Sequence, residues 1–330
     1  MKIRKPCNLE KLYGRTHKIN ATSPEVLFMN AVCEGRVEDA LSFFEEKKLF
    51  GNEKSAVDAP YGRFEGLDGI KKFAEGFLDR FEAQSAFVTP VIQTTANGRV
   101  VLEAVINFVV DGEINQVPMF IVGDFRTLST LDEVRLYCHY TFVPNLQAYR
   151  KPIFKSAHKE TGDPGLLTGA VREYYEALHH CPAVDVERIL DSMGDGCIFG
   201  GYEKWGNEAK PKTDREGLRE EYINMSKYIP RCVGMRYETI IDDGVNCCIE
   251  WVHIVSRAGR EERQRIALSG ISSYERGADG KLCSIRISDY AGSEHTIEWD
   301  KVDCITEEEA KAWNFVEVFP PYVGSKSLED

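Results

Sequence analysis

Four side chains have the type and setting that proton transfer needs. His139 lies in the alternating stretch Glu133–Val143, where Arg135, Tyr137, His139 and Thr141 share one face and Leu136, Cys138 and Tyr140 the other. An imidazole in an apolar pocket loses basicity and stays neutral near pH 7, which suits a general base. In the last strand-like stretch, Leu282–Tyr290, Asp289 shares a face with Ile285 and Ile287, and His253 similarly sits beside Trp251 and Ile249. Tyr174 is carried by a helical pattern with Val171, Tyr175 and Leu178. Together Asp289, Tyr174 and His253 form an acid–base set: a carboxylate to orient or abstract, a phenol to donate to a developing oxyanion, an imidazole to shuttle. The competing reading is that such groups are satisfied by neighbours and hold a sheet together.

Composition narrows the partners. The chain has 330 residues, which favours two domains over one. A net charge of -12 argues against nucleic acid and against an anionic membrane surface, both of which reward clustered Lys and Arg. No apolar run has the length of a membrane span, and none follows the basic start Met1-Lys2-Ile3-Arg4-Lys5, so the sequence reads as cytoplasmic. The ten cysteines are scattered without a C-x-x-C, which fits reduced, buried thiols rather than disulfides or zinc. His179-His180-Cys181 falls where a helix should end, and no spacing defines a ligand set; no metal and no cofactor is expected.

The elements that must position these residues come in one order, twice. Ser23-Pro24-Glu25 opens a helix with N-cap, proline and first-turn acid. A second helix is predicted over Val37–Lys48, a short strand over Ser55–Asp58, and an amphipathic helix after Gly66 with Ile70, Phe73, Ala74, Phe77, Leu78 and Phe81 on one side. Four strands follow: Phe87–Thr95, Arg99–Val110, Glu113–Phe125 and Glu133–Val143, with Asp111-Gly112 as a hairpin turn. That turn puts Ala104, Ile106, Phe108, Met119 and Ile121 on one apolar, inward face. The second pass has a helix through Tyr174, a short helix over Val184–Met193 and a strand over Gly196–Phe199. A helix opened by the capping box Thr213–Glu216 carries Leu218, Tyr222, Met225 and Ile229, and four further strands run from Cys232 to Tyr290. A turn at Ala258-Gly259 would pair Trp251 with Ile266. The expected divisions are an arm over 1–20, a domain over 21–150, a linker over 151–163, a domain over 164–295 and a tail over 296–330.

Asn30-Ala31-Val32-Cys33-Glu34-Gly35-Arg36, Gly66-Leu67-Asp68-Gly69-Ile70, Asp124-Phe125-Arg126 and Ala278-Asp279-Gly280-Lys281-Leu282, in this order, give each half a pattern that resembles the nuclear-transport-factor-2-like superfamily. Within it the SnoaL-like polyketide cyclases and ketosteroid-isomerase-like proteins are the nearest in pattern. The resemblance implies an α+β fold of two tandem cones, each a strongly curved antiparallel sheet wrapped around about three helices, with a pocket inside. It implies that the Tyr137–His139–Thr141 face points into the first cone, and it brings Asp58 near the place of the isomerases' base, one residue out of register. Phe28 stands where the isomerases have a helical tyrosine, and Gly123 where they have an acid. In the second copy Tyr174 matches that tyrosine, whereas Gly200 and Ser272 replace both acids. The implied pocket wall comprises Tyr137, Met119, Ile106, Phe28 and Trp251, with Tyr202 and Trp205 on a loop at the mouth. The implied function is binding of a small, largely apolar molecule, with cofactor-independent lyase or isomerase chemistry. The alternative is a non-catalytic binding or assembly module, in which the two copies form an intramolecular pseudo-dimer, or a homo-oligomer beyond it.

Overall fold

The computed structural model describes residues 17–46, 54–138, 142–145, 164–178, 184–201, 214–226, 232–256 and 265–289. Helices α1 (Pro24–Cys33) and α2 (Val37–Leu41) precede a short hairpin, β1 (Ala56–Ala59) and β2 (Gly62–Glu65), and then α3 (Gly66–Arg80). Strands β3 (Ser85–Ala96), β4 (Arg99–Val110), β5 (Glu113–Phe125) and β6 (Leu131–Tyr137) complete a six-stranded sheet ordered β2-β1-β6-β5-β4-β3. The second set runs α4 (Gly169–Leu178), α5 (Val186–Ser192), β7 (Met193–Gly201), α6 (Arg215–Ser226), β8 (Cys232–Asp242), β9 (Asn246–Ser256), β10 (Arg265–Arg276) and β11 (Leu282–Asp289). Its five strands are ordered β7-β11-β10-β9-β8. In both sheets the first strand lies parallel to the last, and the other pairs are antiparallel.

Local chemistry explains most of these elements. Asn97-Gly98 and Asp111-Gly112 both have positive φ at the two central turn positions, which matches the twist of the flanking strands and fixes the β3–β4–β5 meander. Helix α3 buries Ile70, Phe73, Ala74 and Phe77 on one stripe. A side chain at Gly69 would start 2.8 Å from the Phe64 carbonyl carbon, so glycine there lets α3 lie directly on β2. Register shifts at Pro90/Ile92, Asp124/Phe125 and Glu275/Arg276 curl the strands around the helices.

Two separate apolar clusters result, one inside each curved sheet. The first gathers α1, α3 and the inner faces of β4–β6, the second α4–α6 and the inner faces of β7–β11. The outer faces are also buried, and they meet each other. Glu103 on β4 and Arg286 on β11 bond across the gap, as do Glu250 on β9 and Arg135 on β6. Glu103 and Glu250 hold equivalent places in the two sheets, and so do Arg135 and Arg286. The contact is therefore reciprocal, the signature of a two-fold axis, here within one chain.

Several expectations are corrected. Tyr137 does not face the first cone: its hydroxyl donates to Glu250 of the other sheet at 2.7 Å, while Val134, Leu136 and Cys138 of β6 join the first core. Both faces of β6 are buried, so polarity no longer separates inside from outside. The partner of Trp251 on β10 is Gly270 rather than Ile266, although His253, Trp251 and Ile249 do occupy one face by register. Helix α2 stops at Leu41, where Phe44 bridges to Leu131 instead of continuing the helix. Thr213 of the expected capping box lies outside the described residues; at the start of α6 Asp214 accepts from the Gly217 amide at 2.7 Å. Gly62–Glu65, which the sequence pattern leaves unassigned, forms the strand β2.

Candidate functional site

The interiors of the two units differ in chemistry. Inside the first, aromatic rings pack on one another: Phe28 lies 6.3 Å from Phe73, Phe73 5.5 Å from Phe77, and Phe81 stacks on Phe108 at 4.2 Å. Phe28, Ile106 and Met119 are buried members of this packed cluster. Its thiols are inert, since burial pushes Cys33 and Cys138 up to about 12. Burial likewise pushes the Tyr61 phenol well above its ordinary range.

The second interior is built from tyrosines. Adjacent residues Tyr174 and Tyr175 on α4 project into the core with Tyr222 from α6 and Tyr274 from β10. Tyr222 donates its hydroxyl proton to Tyr174 at 2.9 Å, and Tyr274 donates to Tyr175 at 3.0 Å. The rings of Tyr174 and Tyr274 are 5.2 Å apart, and Phe199 of β7 closes on Tyr222 at 5.2 Å. Trp251 completes the wall, with its indole N–H on Ser272 Oγ at 2.8 Å. Gly270 makes room for it, because a Cβ there would lie 2.4 Å from the indole Cζ2.

Burial holds Tyr174 and Tyr222 well above the ordinary tyrosine range, with Tyr274 adding to it at Tyr174, where the hydrogen bond from Tyr222 opposes it only in part, and with Tyr174 and Tyr274 adding to it at Tyr222, so both stay protonated. Tyr174 accepts from Tyr222, and no other described residue takes the Tyr174 proton. A phenol that accepts one hydrogen bond and keeps its own proton is a polarised donor. It can bind a carbonyl oxygen or stabilise an oxyanion.

The remaining sequence candidates are dispersed. Asp58 is half-buried on β1, opposite Arg63 of β2 and beside Arg135 of β6, hence on the outer face of the first sheet. That is a correction of its expected place near a pocket base, and it follows from Val57 and Ala59 taking the inner face. Register pairs Asp289 with Gly270, which itself pairs with Trp251, so position 289 belongs to the inner-face row that ends the tyrosine-lined wall. Tyr274 is four residues further along β10, about 13 Å at the usual strand rise. His139, Tyr202, Trp205 and the His179-His180-Cys181 run lie outside the described residues, as does the expected Ala258-Gly259 turn.

At helical and strand spacing Tyr175, Tyr222 and Tyr274 look like core, and nothing in the sequence marks them as functional groups. Glu103, Glu250 and Arg286 are nearly as well hidden. A carboxylate alone in Val100-Val101-Leu102-Glu103-Ala104-Val105, or in Cys248-Ile249-Glu250-Trp251-Val252, is the available signal, since a buried charge must be paired. Glu250 accepts from Arg135, Thr239 and Tyr137; burial alone would raise its pKa, but the guanidinium and these donors together lower it. Among the described residues, no three of His, Cys, Asp and Glu converge as metal ligands would. No described helix is long and apolar enough to cross a membrane.

No family model matches this sequence, and no curated protein matches it. Among solved structures, it is similar to an NTF2-like protein from Cytophaga hutchinsonii, at 12% identity over 38% of this chain and 96% of that one, with a TM-score of 0.28. A protein of ketosteroid-isomerase-like fold from Catenulispora acidiphila, solved in complex with trimethylamine, is 18% identical over 35% of this chain and 86% of that one, with a TM-score of 0.29. A SnoaL-like polyketide cyclase from Shewanella putrefaciens is 14% identical over 36% and 78% of the two chains, with a TM-score of 0.28. Nuclear-transport-factor-2-like, SnoaL-like and ketosteroid-isomerase-like are the fold names that the sequence pattern implies for each half of this chain.

Proposed function

We propose that the two units divide the work: the second binds a small, largely apolar molecule in its tyrosine-lined interior, and the first is its packed structural partner. One observation carries this reading. The described interior of the first unit is aromatic packing, whereas that of the second presents the Tyr222–Tyr174 pair with a phenol proton still to give. The ligand class that fits is a flat apolar body bearing a carbonyl or phenolic oxygen, with Trp251 and Phe199 as walls.

Catalysis would extend the same geometry. Tyr174 would stabilise an enolate-like oxyanion at one end of the ligand, and Asp289 or His253, on the inner-face rows toward the other end of the wall, would move the proton, giving an isomerase or lyase without a cofactor. The test is titration of the full chain with 2-acetylnaphthalene, a bicyclic aryl ketone, followed by calorimetry. Saturable binding by one site, weakened at least about tenfold in Tyr174→Phe, is expected, one hydrogen bond's worth of loss. Absence of binding, or equal binding by the variant, contradicts the reading. The assembly-only alternative draws on the same packed first interior and predicts no saturable binding at all.

A further inference from the structure

The first unit packs its core but leaves two buried donors unused at one end of it. Tyr61, in the turn between β1 and β2, stacks on Phe73 at 6.4 Å and meets the edge of Phe81 at 6.3 Å. Its hydroxyl is sealed from solvent and has no hydrogen-bond partner among the described residues. Burial, with the Cys138 thiol adding to it and Arg80 opposing it, holds this phenol well above its ordinary range, so the proton stays on it. The guanidinium carbon of Arg80, the last residue of α3, lies 5.3 Å from the centre of the Tyr61 ring. The Arg80 Nε–H is likewise buried without an acceptor, and no described carboxylate pairs with this guanidinium.

A cation over a ring face gains from the π-system but leaves its N–H groups still to be satisfied, and a buried donor without a partner costs stability. Arginine only donates, and here it does not use the phenol oxygen as its acceptor. The missing partner must therefore offer acceptors to both groups. A carboxylate does so: its charge answers the guanidinium, its two oxygens serve two donors, and its plane matches the planar fork. A buried water supplies lone pairs but no charge. Phe64, half-buried and 6.0 Å from Tyr61, offers an apolar face beside the pair. Arg80 is also half-buried, so its long side chain can shift to admit a ligand while α3 stays in place.

We infer that Tyr61 and Arg80 form a second binding site, at the end of α3 in the first unit, for a small planar carboxylate such as an aromatic acid. Arg80 supplies the charge and Tyr61 the orientation. The site differs in place and in ligand charge from the tyrosine-lined interior of the second unit and does not depend on it.

The probe is sodium benzoate, titrated into the full chain at neutral pH and followed by calorimetry. Wild type is expected to bind it saturably at one site and to leave benzyl alcohol, its uncharged counterpart, unbound. Arg80→Met, which keeps an apolar stem over the ring, should weaken binding at least about tenfold, and Tyr61→Phe about fivefold to tenfold. Without benzoate, Tyr61→Phe should unfold at a higher temperature than wild type, because it removes a buried hydroxyl that nothing satisfies. Saturating 2-acetylnaphthalene should leave benzoate binding unchanged. The inference is overturned by absence of saturable benzoate binding, by equal binding in Arg80→Met, or by displacement with the ketone, which would put benzoate in the second unit. A lower unfolding midpoint for Tyr61→Phe also overturns it, since that would place a buried water on the hydroxyl.

Discussion

Glu103 and Arg286, 183 positions apart in sequence, form a two-pronged ion pair at 2.6 and 3.0 Å, with both side chains 0% exposed. Ser284 and Ser273 take two of the remaining guanidinium N–H positions at 2.7 and 3.1 Å. The pair joins the outer faces of two sheets whose apolar cores are separate, so it ties the units together rather than filling either one.

Removing one member should therefore cost much more than removing both. Glu103→Met or Arg286→Met alone leaves a buried charge uncompensated and is expected to destabilise by about 3–5 kcal/mol in urea unfolding. The double replacement by methionine, made together with Glu275→Gln so that the other carboxylate held by Arg286 is not left charged, should recover most of that loss, since well-packed apolar groups substitute for buried pairs at little net cost. Two single losses that simply add would contradict this account of the interface.

The fold is largely legible in the sequence and the interface is not. The Asp111-Gly112 turn, the α3 stripe and the repeated order of elements can be read from residue types and spacing, because turn stereochemistry and helix periodicity are local. The facing of β6 cannot, because Arg135 and Tyr137 are buried by a sheet more than a hundred residues away, and burial on both faces removes the polarity that sets parity. The candidate site is half legible for a similar reason. Tyr174 stands out only through a resemblance, whereas Tyr222 becomes a functional group only once α6 is known to deliver it against Tyr174.

Glu25 should make stability depend on pH in a defined direction. Burial raises its pKa, while hydrogen bonds from Ser23 and Gln93 to one carboxyl oxygen only partly oppose that. The folded chain thus holds the proton more tightly than the unfolded chain. The stabilisation is fully present below the ordinary glutamate range and is lost as pH rises through the raised value. Glu25→Gln should abolish this dependence and be the more stable protein at neutral pH. Parallel urea midpoints for the two proteins between about pH 4 and about pH 7 would refute it.

Tyr174 and Tyr222 should behave as a coupled pair. Each single change to phenylalanine leaves a buried hydroxyl without its partner, at a cost of about 1–3 kcal/mol. The double change should cost less than the sum, with a coupling of about 1 kcal/mol in a double-mutant cycle of thermal or urea unfolding. Additive losses would mean that the hydroxyls do not interact.

Gly270→Ala tests the wall of the second interior. The new methyl would need the space of the Trp251 ring, so the indole must turn away and its bond to Ser272 must lengthen. A destabilisation of about 1–3 kcal/mol and a red-shifted tryptophan emission component are expected. Unchanged emission would show that the indole does not lie against Gly270.

The division of labour between the units is tested most directly by hydrogen exchange of the full chain with and without saturating 2-acetylnaphthalene. Added protection is expected in α4, α6, β9 and β10 and none in α1, α3 or β4. Protection centred on the first unit, or no change in either, would contradict it.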